Sequence, residues 1–328
     1  MYFIRFLFTT LYFGLRVLLV RWRAEKQAVS LLRDLEQRFD GSFDQATFRK
    51  VVKAHPIYLS IVNDAFTGLH GRTTTVAEQE RCVLYFICSS LFDNFFDEHS
   101  RTDEEIYAMT FTPEAYAPRD FDDRAAQYAH TRLLNEVRDK EGYLEVLMHE
   151  YKGQMISREQ FDPAISNERI QEICFYKCGN ATLLCKYYLD IDASAAETAI
   201  WYRLGAFIQL CDDLFDIYFD VQDGINTLAT RCTNAYQMED FFLGMIKDLQ
   251  EQIRTIPVSK ARREKFAIAI AGIYSLGLVA IEQLKKLQGD APQLPQFANL
   301  PRKTMIVDME QFGNMWRWFK FVYKYGKL

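Results

Sequence analysis

The sequence predicts an all-α fold in one domain over residues 1–328. Three observations carry this. No strand alternation of any length appears. The eight prolines (Pro56, Pro113, Pro118, Pro163, Pro257, Pro292, Pro295, Pro301) fall where helix-like segments break. No shift in composition marks a linker, and the length suffices for one large core.

Residues 2–22 are aromatic, apolar and basic. Arg5 and Arg16 interrupt them, leaving Phe6 to Leu15 uncharged, too short for the ~20 residues of a spanning helix. No small-residue cleavage site of a signal peptide follows. Two readings stand for residues 1–23: a first helix packed on the body, or a basic, aromatic helix lying in a membrane interface. Residues 24–67 read as helices broken near Asp40-Gly41 and His55-Pro56. After the loop Gly68–Thr75, Thr75 and Glu78 form a capping-box pattern opening a helix to about His99. Arg72, just before it, reads as solvated or as folded over a cavity.

Residues 100–124 are polar, with two prolines, and predict a mobile loop. Helices follow at about 122–138 and 141–161, and another opens at Asn167-Glu168-Arg169-Ile170. Within it, Gly179 stands mid-helix, where Gly costs about 1 kcal/mol relative to Ala and marks a bend or close approach. The next helix runs from about Ala193 to Asp220, and Gln222–Leu228 is a turn. Helices at 237–256 and 258–288, a proline loop and a basic, aromatic terminal stretch (Trp316–Tyr325) complete the chain.

Net charge is −5, from 39 basic and 44 acidic residues, which argues against nucleic acid as the main partner. Seven cysteines without a CxxC pair read as reduced thiols of a cytoplasmic protein. Five histidines without HExxH spacing disfavour a zinc enzyme. Aromatic residues make up 15%, which suits a large apolar pocket or a well-filled helical core.

Chemistry concentrates in two acidic clusters. Asp212, Asp216 and Asp220 recur every fourth residue, stacking their carboxylates on one helix face, with Asp213 beside them. Asp93 and Asp97 repeat that spacing in Leu91-Phe92-Asp93-Asn94-Phe95-Phe96-Asp97-Glu98. A carboxylate column among apolar residues is electrostatically expensive unless cations neutralise it. All-oxygen ligands suit Mg²⁺, which prefers a few carboxylates plus substrate phosphates. The expected ligand is therefore a diphosphate held through metal ions.

Asp93-Asn94-Phe95-Phe96-Asp97-Glu98 resembles the first aspartate-rich motif of class I isoprenoid enzymes, with Asn for the second Asp. Leu204–Asp216, with Gly205, Gln209 and the Asp212-Asp213 pair, resembles the second motif of trans-prenyl diphosphate synthases. The phase of Asp212, Asp216 and Asp220 is also similar to the metal triad of class I terpene cyclases, although all three are Asp here. The resemblance implies a helical bundle of the class I terpenoid synthase type with a central active-site cavity. It implies three Mg²⁺ ions bound with the diphosphate by Asp93, Asp97, Asp212, Asp216 and Asp220. Phe175–Thr182 is similar to the Lys-bearing segment of prenyl synthases and to the broken helix of cyclases, which implies Lys177 as diphosphate ligand, Gly179 at the kink and Arg169 as a weaker diphosphate contact. A cyclase-like closure over diphosphate implies Arg317 and Tyr323. Gln209, Asp213, Phe92, Phe207 and Phe215 complete the expected substrate contacts. Ser89 and Cys88, small residues before the first Asp, imply a deep pocket and a substrate of C15 or longer.

The chain departs from prenyl synthases in two places. It lacks the Gly-Lys plus Arg-Pro signature for isopentenyl diphosphate, and Ile225 stands where a Lys is expected after the second motif. The expected activity is therefore Mg²⁺-dependent ionisation of an allylic prenyl diphosphate followed by cyclisation or rearrangement. Joining of two prenyl diphosphates and a non-catalytic partner subunit are the alternatives. Expected partners are the prenyl diphosphate, a second copy of the chain and the inner face of a membrane.

Overall fold

The computed structural model describes residues 2–328, and all regular structure among them is helical. Thirteen α-helices follow in order: α1 (Tyr2–Phe39), α2 (Gln45–Tyr58), α3 (Asp64–Leu69), α4 (Val76–Asp97), α5 (Asp103–Phe111), α6 (Phe121–Glu136), α7 (Lys140–Ser157), α8 (Asn167–Leu184), α9 (Ala195–Asp223), α10 (Ala235–Thr255), α11 (Lys260–Gln288), α12 (Arg302–Met305) and α13 (Phe312–Tyr325).

Contacts divide the chain into two compact units. One holds the chain up to Thr9, Leu147–Leu183 and Ala193–Leu328; the other holds Thr10–Val146 and Leu184–Asp192.

In the second unit α4 is central, packing on α2, α6 and the 3₁₀ turn Cys185–Tyr188. Its start is the expected capping box, with Thr75 and Glu78 each accepting the other's backbone N–H. Glu78 is fully buried and also receives both terminal nitrogens of Arg72, at 2.7 and 2.6 Å. Arg72 therefore neutralises a buried acid. Burial alone would raise the Glu78 carboxyl, but hydrogen bonds from Arg72, Thr75 and Asp190 outweigh it and hold it down at about 2.

Two expectations for this unit are corrected. Pro56 lies inside α2 rather than at a break, and the chain runs on through a π-helical turn, Leu59–Asn63, into α3. Proline in a helix interior costs about 3 kcal/mol through a lost bond and a ring clash. The apolar face Val51, Pro56, Leu59 and Val62, all buried, offsets it. The segment 100–124 is not all loop. Thr102 and Glu105 cap α5, whose Ile106 and Met109 are buried. The remainder converges on buried Asp123, which accepts from Arg101, the Tyr116 hydroxyl and the Arg119 backbone N–H.

In the first unit α11 is the hub, packing on α9, α10 and α13. It is the apolar core helix, 72% buried over its most apolar window. A Cβ on Gly205 of α9 would lie 2.0 Å from the Cys178 carbonyl oxygen of α8, so only glycine permits that approach. Gly153 of α7 meets the Lys177 backbone in the same way, at 2.7 Å. The segment Lys177-Cys178-Gly179 is thus clasped between two helices. α9 opens with a Ser194/Glu197 capping box and stops at left-handed Gly224 (φ 71°).

Candidate active site

Both acidic clusters sit at the carboxyl ends of their helices. Asp93 and Asp97 close α4, and Asp216 and Asp220 lead into the last turn of α9. Neither helix has a basic residue in its last turn. A helix carboxyl end carries roughly half a negative charge, so acids there are disfavoured and cations favoured. This is the reverse of ordinary helix design, and in α4 and α9 it involves a pair of acids at i, i+4.

On α9, Asp212 and Asp216 are exposed, Asp220 is partly covered and Asp213 is buried. Burial, reinforced by Asp216, Asp212 and Asp223, pushes the Asp220 carboxyl up to about 7. Burial pushes Asp213 up to about 8, against the Gln209 hydrogen bond and the Lys177 charge that pull it down. Gln209 Nε2 donates to Asp213 Oδ1 at 2.7 Å, and its Oε1 accepts from Cys178 Sγ at 2.8 Å. A polar chain thus ties α8 to α9 and brings Lys177, Gln209, Asp212 and Asp213 into one electrostatic neighbourhood. Gly179 adjoins it; α8 continues unbroken through this position, and the glycine makes room for the Tyr202 ring, which fills the space a Cβ would need.

On α4, Asp93 meets Lys50 of α2 at 3.0 Å, and Asn94 donates to Thr47 at 3.0 Å. Phe92 packs against Phe95 and against His130 of α6. Asp97 is exposed, and Ser89, about two turns earlier in the helix, is partly buried.

Other expected contacts have different surroundings. Arg169 is taken up by Glu159 at 2.8 Å and by Glu172, on an exposed surface. Arg317 donates to Asn314 at 2.8 Å. The Tyr323 ring packs against Tyr2, Phe3 and Phe6 of α1. Phe207 is a core residue of the first unit, wedged against Phe242 and Tyr274, while Phe215 is half-buried on α9. A cavity of about 1210 Å³ lies among α8, α9 and α10, lined by Phe175, Tyr202, Phe207 and Phe241. Its acidic lining residues are Asp240 and Asp248, and none of Asp93, Asp97, Asp212, Asp213, Asp216 and Asp220 lines it.

Two cations escaped the sequence reading. Lys50 reaches Asp93 from 43 residues away. Arg302 of α12 lies over Phe219, beside Asp220, at 5.3 Å from the ring centroid. The basic pair Arg302-Lys303 after Pro301 was the available signal, but nothing local links it to α9.

The donor set fits a hard divalent cation: carboxylate oxygens at negative helix ends, with no imidazole or thiolate among the expected ligands. Among the described residues no three His, Cys, Asp or Glu side chains converge into a metal cage. Comparison with known proteins adds no family: no family model matches the chain, and no curated protein matches it.

Proposed function

We propose that this chain ionises an allylic prenyl diphosphate of C15 or longer in the presence of Mg²⁺, and that the cation then cyclises or rearranges, as in class I terpene synthases. One observation carries the reading: two carboxylate pairs at i, i+4, each at the carboxyl end of a long helix with no basic residue in its last turn. Structural aspartates serve better at helix amino ends, where they stabilise.

Asp93 and Asp97 on α4, and Asp212, Asp216 and Asp220 on α9, are the carboxylates that would hold Mg²⁺. Bound Mg²⁺ supplies charge neutralisation of the leaving diphosphate. Lys177 donates to diphosphate oxygens, where negative charge grows as the carbon–oxygen bond breaks and its electron pair departs with the leaving group. Gln209 holds the Asp213 carboxyl through a hydrogen bond within α9 and links it to Cys178 of α8. The aromatic residues flanking the clusters exclude water and present π-faces to the cation.

A second reading, joining of two prenyl diphosphates, draws on the Gln209–Asp213 pair, which falls in the motif similar to that of prenyl synthases. Incubation with geranyl, farnesyl, geranylgeranyl and farnesylgeranyl diphosphates, each with and without isopentenyl diphosphate, separates the two. A hydrocarbon or alcohol from one allylic substrate, lost in Asp93→Ala and Asp212→Ala, supports the first. Product only from two diphosphates supports the second. No turnover by folded protein in any tube removes both in favour of a non-catalytic partner.

A further inference from the structure

We propose that the outer face of α1, from Phe3 to Trp22, docks in the plane of an anionic lipid bilayer. This inference is independent of the catalytic reading.

Along α1 the inner stripe is covered by protein, including Phe6, Thr9, Val20, Ala24, Ala28, Leu32 and Leu35. The outer face changes character at Trp22. Before it, the exposed side chains include Ile4, Phe8 (70%), Leu11, Leu15, Leu18 (68%) and Leu19 (71%). After it, they are Arg23, Lys26, Ser30, Arg33, Asp34, Gln37 and Arg38, all polar. One helix therefore has an ordinary solvated back in its second half and an apolar back in its first. Only 11% of its most apolar 18-residue window is buried, against 72% for α11. From Phe3 to Trp22 the apolar band runs about 29 Å at 1.5 Å per residue.

The charges select the occupant. Residues 2–26 carry Arg5, Arg16, Arg21, Arg23 and Lys26 against one acid, Glu25, which pairs with Arg21. Arg21, Arg23 and Lys26 are exposed around Trp22, and the Lys26 ammonium lies 3.7 Å over its ring. A Trp bordered by cations at the end of an apolar face matches a headgroup layer rich in anionic lipid. A second copy of the chain fits less well. The apolar face is about half the helix circumference, and Leu7, Tyr12 and Leu19 occupy the flanks where a coiled coil places pairing charges.

The helix lies in the interface and does not cross it. Arg16 donates at 2.7 Å to Asp64, a buried carboxylate that also accepts from Thr74. Arg5 pairs with Glu264. A crossing helix would carry both arginines into hydrocarbon and orphan their partners, which is costly.

The test is flotation of the full chain, synthesised in the presence of vesicles of phosphatidylcholine with or without about a quarter phosphatidylserine. The expected result is flotation with the anionic vesicles, weaker flotation without phosphatidylserine, and release by alkaline carbonate. The triple variant Phe8→Glu, Leu18→Glu, Leu19→Glu, whose side chains are all exposed, should lose at least about tenfold in partitioning while keeping its helicity and melting temperature. The variant Arg21→Gln, Arg23→Gln, Lys26→Gln should lose the preference for anionic vesicles. Folded protein that fails to float overturns the proposal. Resistance to carbonate overturns the in-plane placement. Unchanged flotation of the triple variant, with a dimer becoming a monomer, assigns the face to a second copy instead.

Discussion

Gln209 donates through Nε2 to buried Asp213, and Asp213 thereby shares a helix turn with exposed Asp212 without sharing its environment. One acid of the pair is packed and hydrogen-bonded; the other is exposed. Gln209→Leu leaves Asp213 without its amide donor and Cys178 without its acceptor. Unpaired buried polar groups cost about 1–3 kcal/mol each, so chemical denaturation should show a loss in that range.

The carboxylate column of α9 opposes the stability of the metal-free protein. Asp220→Asn relieves repulsion from Asp216 and from the negative helix end, together worth about 0.5–1.5 kcal/mol. Metal-free Asp220→Asn should melt higher than the parent while its Mg²⁺-dependent turnover of prenyl diphosphate falls. A lower melting temperature would mean that Asp220 is a structural residue.

Lys177→Met removes the only expected diphosphate donor that lies beside the α9 acids. Loss of one donor to a developing anion lowers turnover about 10²–10³-fold. Steady-state kinetics should show that loss chiefly in kcat, with folding unchanged. Arg302→Ala tests the cation over Phe219 in the same assay, and an effect confined to KM would mark it as a binding contact only.

Gly205→Ala places a methyl group against a backbone carbonyl that cannot move aside. Overpacking of this kind costs about 1–3 kcal/mol. Gly14→Ala, in α1 with nothing within 4 Å of the added carbon, should instead stabilise by up to about 1 kcal/mol. Urea titrations of the two variants should move in opposite directions.

His130 gives a pH dependence. It is buried against Phe92, and its Nε2–H donates to the Thr110 carbonyl at 2.7 Å. Burial lowers its pKa to about 4, against an unfolded value near 6.5. The folded state then binds fewer protons than the unfolded chain between those values, so stability falls as pH drops from 6.5 to 4. The lost contribution is on the order of 3 kcal/mol. His130→Gln should flatten that part of the pH–stability curve, while acid protonation of Glu78 remains below it.

The amino-acid sequence alone determined that the chain is helical, where most helices begin, and that Asp93/Asp97 and Asp212/Asp216/Asp220 line helix faces. These are local properties, set by side-chain period, capping residues such as Thr75 and Glu78, and glycine or proline at the ends. Short α5 and the continuation of α2 through Pro56 escaped, because nine residues give little periodicity and a proline outweighed by burial looks like any other proline. Only the tertiary structure decided which face of each helix is covered. It buries Asp213 and exposes Asp212, places Lys50 against Asp93 and Arg302 over Phe219, engages Arg169 with glutamates, and packs Tyr323 on the first turns of α1. It also leaves the outer side of α1 bare. Coverage depends on residues far apart along the chain, such as Gly205 against Cys178, and no local pattern specifies which helix will supply the other half of a contact.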